Sequence, residues 1–87
     1  MRMHDIKCWP MHYDRLIDGS KRFEVRKNDR DYQVGDKLWI REWDPKAREY
    51  TERDIVFLIS YIMSPHSCMA AMQSDFVILS LNEVSDE

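Results

Sequence analysis

The sequence predicts a mainly β fold of α+β type: a small barrel of five strands with one early helix. Three observations predict it. Several short segments alternate apolar and polar residues, which is the period of a strand. Residues 55–63 are apolar on both faces, as a central strand or one bending between two sheets must be. One short stretch has helical spacing, with Tyr13, Leu16 and Ile17 on one face between Pro10 and Gly19. The 87 residues suffice for one domain, so 1–87 is expected to fold as a single unit. A sheet this small with so much two-sided strand curls into a barrel, and the helix plugs one end. An open sheet with the helix on one face is the alternative.

The elements follow in order. Residues 3–8 form a short strand that Trp9 and Pro10 break. Pro10 suits a first helical turn, where its missing N–H costs nothing. The helix over 10–18 ends at Gly19, the residue best suited to a left-handed cap. It is too short to stand without packing. Residues 21–27 alternate as a strand. Arg22, Glu24 and Arg26 point one way; Lys21, Phe23, Val25 and Lys27 point the other. Val34, Gly35 and Asp36 make a turn. In 37–43, Leu38 and Ile40 face inward, while Trp39, Arg41 and Trp43 face outward. Residues 44–49 are a hairpin loop with Pro45 at a favoured turn position. Residues 50–63 are the longest strand. Residues 64–75 are irregular, with a helical turn expected at 69–72, and 76–81 form the last strand. The polar end, 82–87, is expected to be a flexible tail.

Charge is unevenly distributed. The net charge is −3, from 13 basic and 16 acidic residues. Residues 1–20 balance. Residues 21–53 hold ten basic and eight acidic residues, and 54–87 hold five acidic residues without a Lys or Arg. The basic peak is 21–30. Such a strip on a mildly acidic protein serves either as a phosphate-binding surface or as a charged strand edge that resists aggregation.

Few catalytic or metal motifs are present. Two glycines cannot build a phosphate loop, and there is no His-Glu-x-x-His or Cys-x-x-Cys spacing. Cys8 and Cys68 are expected to be reduced thiols. His4, His12 and His66 are scattered and read as surface or half-buried side chains, so neither a metal nor a cofactor is expected. The amino-terminal residues lack a signal-peptide apolar stretch and no 18-residue apolar run occurs, so a cytoplasmic location without membrane contact is expected.

The polar strip carries the candidate site. Glu24 and Arg26 share a strand face, and Trp39, Arg41 and Trp43 are expected on a strand pairing with it. Arginines beside aromatic rings suit single-stranded nucleic acid, because cations track phosphates and rings stack on bases. Glu24 can accept from a base amine or hold an arginine in place. A cross-strand ladder of ion pairs, with aromatics covering the barrel wall, explains the same residues without a ligand.

The order Lys7, helix, Gly19-x-Lys21-x-x-Glu24-x-Arg26, then Val34-Gly35-Asp36, resembles the ASCH domains of the PUA-like superfamily. The run 23–36 is more closely similar to the DUF3850 family of bacteria and their phages. So are His4-Asp5-Ile6-Lys7, Arg41-Glu42-Trp43-Asp44-Pro45, Tyr50-Thr51-x-Arg53 and Phe76-Val77-Ile78-Leu79-Ser80. The resemblance covers about residues 4–81. It implies a pseudo-barrel of five or six strands, with a cleft between barrel and helix floored by the 21–26 strip. It also implies RNA or a nucleotide-like ligand as partner. On that reading Lys21, Arg26 and Lys7 contact phosphate or carbonyl groups, and Arg22, Lys27 and Arg41 are further ligand-binding candidates. Glu24 reads a base edge or orients Arg26, and Trp9, Trp39 or Trp43 stacks on a base.

One ASCH-like branch hydrolyses the amide of acetylated cytidine with a lysine, a threonine and a glutamate. The lysine corresponds to Lys21 and the threonine to Glu24, a departure. The glutamate lies in an insert where this sequence has 64–75, which contains no Glu. Lys21 and Glu24 are the catalytic candidates, but strict alternation puts them on opposite faces unless a bulge or strand end lies near Lys21. Binding is therefore expected rather than catalysis. A protein-interaction module using the aromatic hairpin 39–50 is the third reading.

Overall fold

The computed structural model describes residues 1–64 and 75–84. His66, Cys68, the helical turn expected at 69–72 and residues 85–87 lie outside them. Among the described residues the order is β1 (Met3–Cys8), α1 (Pro10–Asp18), β2 (Phe23–Lys27), β3 (Lys37–Asp44), β4 (Glu49–Met63) and β5 (Phe76–Glu83). The five strands make one curled half-barrel sheet in the order β1-β3-β4-β5-β2. All neighbours are antiparallel except β1 and β3, which run parallel. Asn82 and Glu83, expected in the tail, instead pair with Leu58 and Phe57.

Alternation decides which side chains are interior. Ile6 and Cys8 of β1, Leu38 and Ile40 of β3, Phe57 and Ile59 of β4, and Val77, Leu79 and Leu81 of β5 form the core. The helix adds Tyr13 and Leu16, whereas Ile17, placed on the same face by spacing, is exposed. Trp9 is the N-cap in extended conformation, and its carbonyl accepts from the Tyr13 N–H at 2.9 Å. Pro10 then opens the helix, as its fixed φ favours.

Two irregularities curl the sheet. Register shifts fall between Ile59 and Tyr61 in the β4–β5 ladder, and between Arg41 and Trp43 in the β3–β4 ladder. Bulges of this kind increase local twist and bend a strand, so the long β4 serves the whole length of the sheet without flattening it. The two edge strands, β1 and β2, are joined by side chains. Arg26 Nη2 donates to the Lys7 carbonyl at 2.9 Å, and Arg30 Nη1 to the Asp5 carbonyl at 2.6 Å.

One expected pairing is corrected. The β2 strand does not pair with β3. Both edges of β3 are taken, one by β1 and the other by β4, so β2 pairs with β5 instead. Trp39, Arg41 and Trp43 therefore do not lie beside the Lys21–Arg26 strip.

Candidate functional site

Glu24 sits on β2 at the parity that faces inward, opposite Leu79. Its carboxylate is buried, with only 5% of the side chain exposed. A lone carboxylate there would be very costly, and burial is tolerated only with partners. Two cations supply them. Lys21 Nζ donates to Glu24 Oε1 at 2.6 Å, and Arg26 Nε donates to Oε2 at 3.0 Å. The strand thus has inverted amphipathy. Its charged face points in, and Phe23 and Val25 point out, 44% and 49% exposed.

Lys21 reaches Glu24 because it precedes the strand. Gly19 caps α1 at φ 84°, a left-handed conformation that side chains disfavour. Asp18 Oδ1 then accepts from the Ser20 N–H at 2.8 Å and hydroxyl at 2.6 Å, and the Lys21 N–H donates to the Arg15 carbonyl at 3.0 Å. These bonds turn the chain out of the helix and set Lys21 before the first paired residue, Phe23. The strand end that alternation required is present.

Lys21, Glu24 and Arg26 line a cleft of about 760 Å³ between β2 and the β1–α1 junction. This volume is within the ~300–1,000 Å³ typical of small-molecule sites. Trp9, 57% exposed, and Phe23 supply aromatic surface, and His12 and Ser20 add polar groups. Cys8 is buried in the cleft wall. Burial pushes its thiol up to about 11, and the nearby Glu24 charge adds to that shift. It is therefore a poor nucleophile at neutral pH.

The remaining predicted residues divide. Arg22 lies outside the cleft, exposed and 3.7 Å from Glu83, and Lys27 is exposed at the end of β2. Trp39, Arg41 and Trp43 form a separate ladder on the outer face. Lys7 Nζ lies 3.9 Å from the Trp43 ring centre, and the Arg41 guanidinium lies 3.8 Å from that of Tyr50. The registers Lys7↔Arg41 and Trp43↔Tyr50 bring these groups together. Lys7 belongs to both surfaces, through its carbonyl on Arg26 and its ammonium on Trp43.

Sequence reasoning missed two polar clusters. Glu42 is buried and accepts from the Thr51 hydroxyl at 2.8 Å, with Arg53 Nε 3.6 Å away. Arg53 Nη2 also donates to Asp14 Oδ1 of α1 at 2.8 Å and stacks over Tyr13. The second corrects the reading of His4, which is 4% exposed rather than half-buried. His4 Nε2 meets Asp36 Oδ2 at 2.9 Å, and the imidazole packs against Tyr32. Parity carried the signal for both. Glu42 continues the inward set Leu38 and Ile40, and His4 that of Ile6 and Cys8. Among the described residues no group of three or more His, Cys, Asp or Glu side chains is arranged to hold a metal ion, and no helix is long and apolar enough to cross a membrane.

The fold and cleft define a class: a small curled sheet whose edge strand carries a cation–carboxylate–cation cluster. Within it the chain belongs to the DUF3850 family, a domain of unknown function whose family model matches residues 3–81. A curated relative is the "Uncharacterized 12.9 kDa protein in GpA 3'region" of Escherichia phage P2, 40% identical over 42 residues. That match covers 48% of this chain and 38% of the phage protein.

Proposed function

We propose that the protein is a small ASCH-like binding module that takes RNA or a nucleotide-like ligand in the cleft beside α1. The observation carrying this reading is the buried Glu24 held between Lys21 and Arg26 in a cleft that also presents Trp9 and Phe23. Cations suit phosphates or carbonyls, exposed rings suit base stacking, and a fixed carboxylate suits a base N–H. Titration of labelled single-stranded RNA at low salt tests it. Binding should weaken about 10-fold or more in Lys21→Ala, the usual scale for a lost charged hydrogen bond. Absence of binding at low salt, or binding indifferent to this substitution, overturns the reading.

A second reading is hydrolysis of an acylated nucleoside such as acetylated cytidine. The 2.6 Å contact between Lys21 and Glu24 favours it, since an acid–base pair must lie within hydrogen-bond reach. Release of cytidine from acetylated cytidine is the direct assay, and a Glu24→Gln protein that is equally active would remove Glu24 from the chemistry.

A further inference from the structure

The cleft floor has a direction as well as a charge. Lys21 donates to one oxygen of Glu24, and Arg26 donates to the other. Across the floor the acceptor Glu24 thus lies between two cationic donors, of which Arg26 also holds the Lys7 carbonyl through Nη2. The two bonds use two of the roughly four acceptor positions of a carboxylate. At the 5% of its side chain that stays exposed, Glu24 has acceptor capacity for a further N–H without releasing either cation. Lys21 and Arg26 are partly exposed, at 18% and 29% of their side chains, so both can meet a ligand as well as Glu24.

The complement of this array is acceptor, donor, acceptor on one planar edge. Among the common bases that is the imide edge of a pyrimidine-2,4-dione, with C4=O, N3–H and C2=O in a row. Cytosine presents donor, acceptor, acceptor, so its amino group meets a cation and its ring nitrogen meets the carboxylate. Guanine matches at O6 and N1–H but then sets its amino group against the second cation. Adenine presents an amino donor beside an acceptor and lacks the central N–H. Each mismatch also leaves a charged group of the floor unpaired, which costs more than a lost contact alone.

We infer that the cleft is selective for the imide edge of uracil in single-stranded RNA, read by Lys21, Glu24 and Arg26. This rests on the binding reading above and goes beyond it by naming the base. Trp9 and Phe23 line the same cleft and supply aromatic surface there. The two bonds to Glu24 hold Lys21 and Arg26 in place, so binding orders little and the preference comes from the edge pattern itself.

The test compares oligo(U), oligo(C), oligo(A) and oligo(dT) of equal length by fluorescence anisotropy at one low salt concentration. Oligo(U) should bind about 10–100-fold more tightly than oligo(C), the discrimination usual for one well-placed pair of base contacts. An oligonucleotide of N3-methyluridine keeps both carbonyls and loses the N–H. It should fall to the level of oligo(C), a control that alters no residue of the protein. Glu24→Gln, of equal size, should bring oligo(U) and oligo(C) together. Equal binding of oligo(U), oligo(C) and the N3-methyl oligonucleotide overturns the imide assignment while RNA binding stands. No binding of any oligonucleotide overturns both readings. Oligo(dT) as tight as oligo(U) upholds the imide edge and overturns the assignment to RNA, since thymine carries the same edge.

Discussion

At the scale of residues, the interior polar groups behave according to the partners each one has. Asp36 is fully partnered. It takes the His4 imidazole at 2.9 Å and the N–H groups of Arg2 and Gln33 at 3.1 Å each. The His4 bond, with the backbone donors behind it, holds its carboxyl down from 3.8 to about 2. A folded-state value below the unfolded one stabilises the fold where the group is ionised in both states. This contribution is fully present above pH 3.8 and is lost as pH falls through that value toward about 2. Urea unfolding of the wild type and Asp36→Asn should therefore differ by a constant amount at neutral pH and converge toward pH 2. A gap that widens on acidification contradicts the assignment. Cys8 shows the opposite case, a group whose burial outweighs the nearby charges of Lys21 and Arg26. Its shift from 9.0 to about 11 cuts the thiolate fraction about 100-fold at pH 8, before any loss of access. Iodoacetamide labelling followed by peptide mapping should find Cys8 slow in the native protein and fast in urea. Equal rates in the two conditions would show that the cleft wall is open around the thiol.

At the scale of elements, the notable junction is the seam between β1 and β2. Both are edge strands, and unpaired edges expose backbone groups that invite association. Here two arginines cover the β1 edge. Arg26 and Arg30 donate to the carbonyls of Lys7 and Asp5, two residues apart and therefore on the same side of the strand. The basic run that reads in the sequence as a charged edge is thus partly a closure device. Arg30→Ala should leave the core intact and free the Asp5 carbonyl, costing about 0.5–1.5 kcal/mol, as a single hydrogen bond usually does. Amide exchange should quicken in β1 and stay unchanged in β4. Uniform quickening would mean that Arg30 supports the whole fold rather than the seam. The same seam explains a limit of sequence reading. Alternation identified all five strands within about two residues, because the side-chain period is local. The strand order was not local information. That β2 joins β5 depends on β3 having both edges occupied, one of them by a parallel neighbour from the start of the chain.

At the scale of the molecule, the inward polar face of β2 reconciles a mildly acidic protein with the anionic ligand proposed for it. Alternation pairs Glu24 with Arg26 but puts Lys21 on the opposite face, and it treats Phe23 and Val25 as the equally plausible inner face. The structure chooses the charged one because Glu24 finds both cations there, and because the cleft beside α1 keeps those cations in reach of water. Trp39, Arg41 and Trp43, legible as outward-facing, proved to be a separate ladder because pairing order, not parity, sets which strands adjoin. The charge that a ligand meets in the cleft is correspondingly small. Lys21 and Arg26 share one carboxylate, Arg15 is paired with Asp18, and no Lys or Arg follows residue 53. A strand of RNA seated there releases few counterions. With about 0.7 in slope per phosphate for single strands, one to three contacts predict a plot of log K against log salt with a slope of about −0.7 to −2. A protein binding through a broad basic surface would fall far more steeply. A slope near −5 would place the footprint outside the cleft, along Arg22, Lys27 and the outer ladder. A shallow slope that Lys21→Ala leaves unchanged while K falls would fix Lys21 on the base edge at the Glu24 clamp.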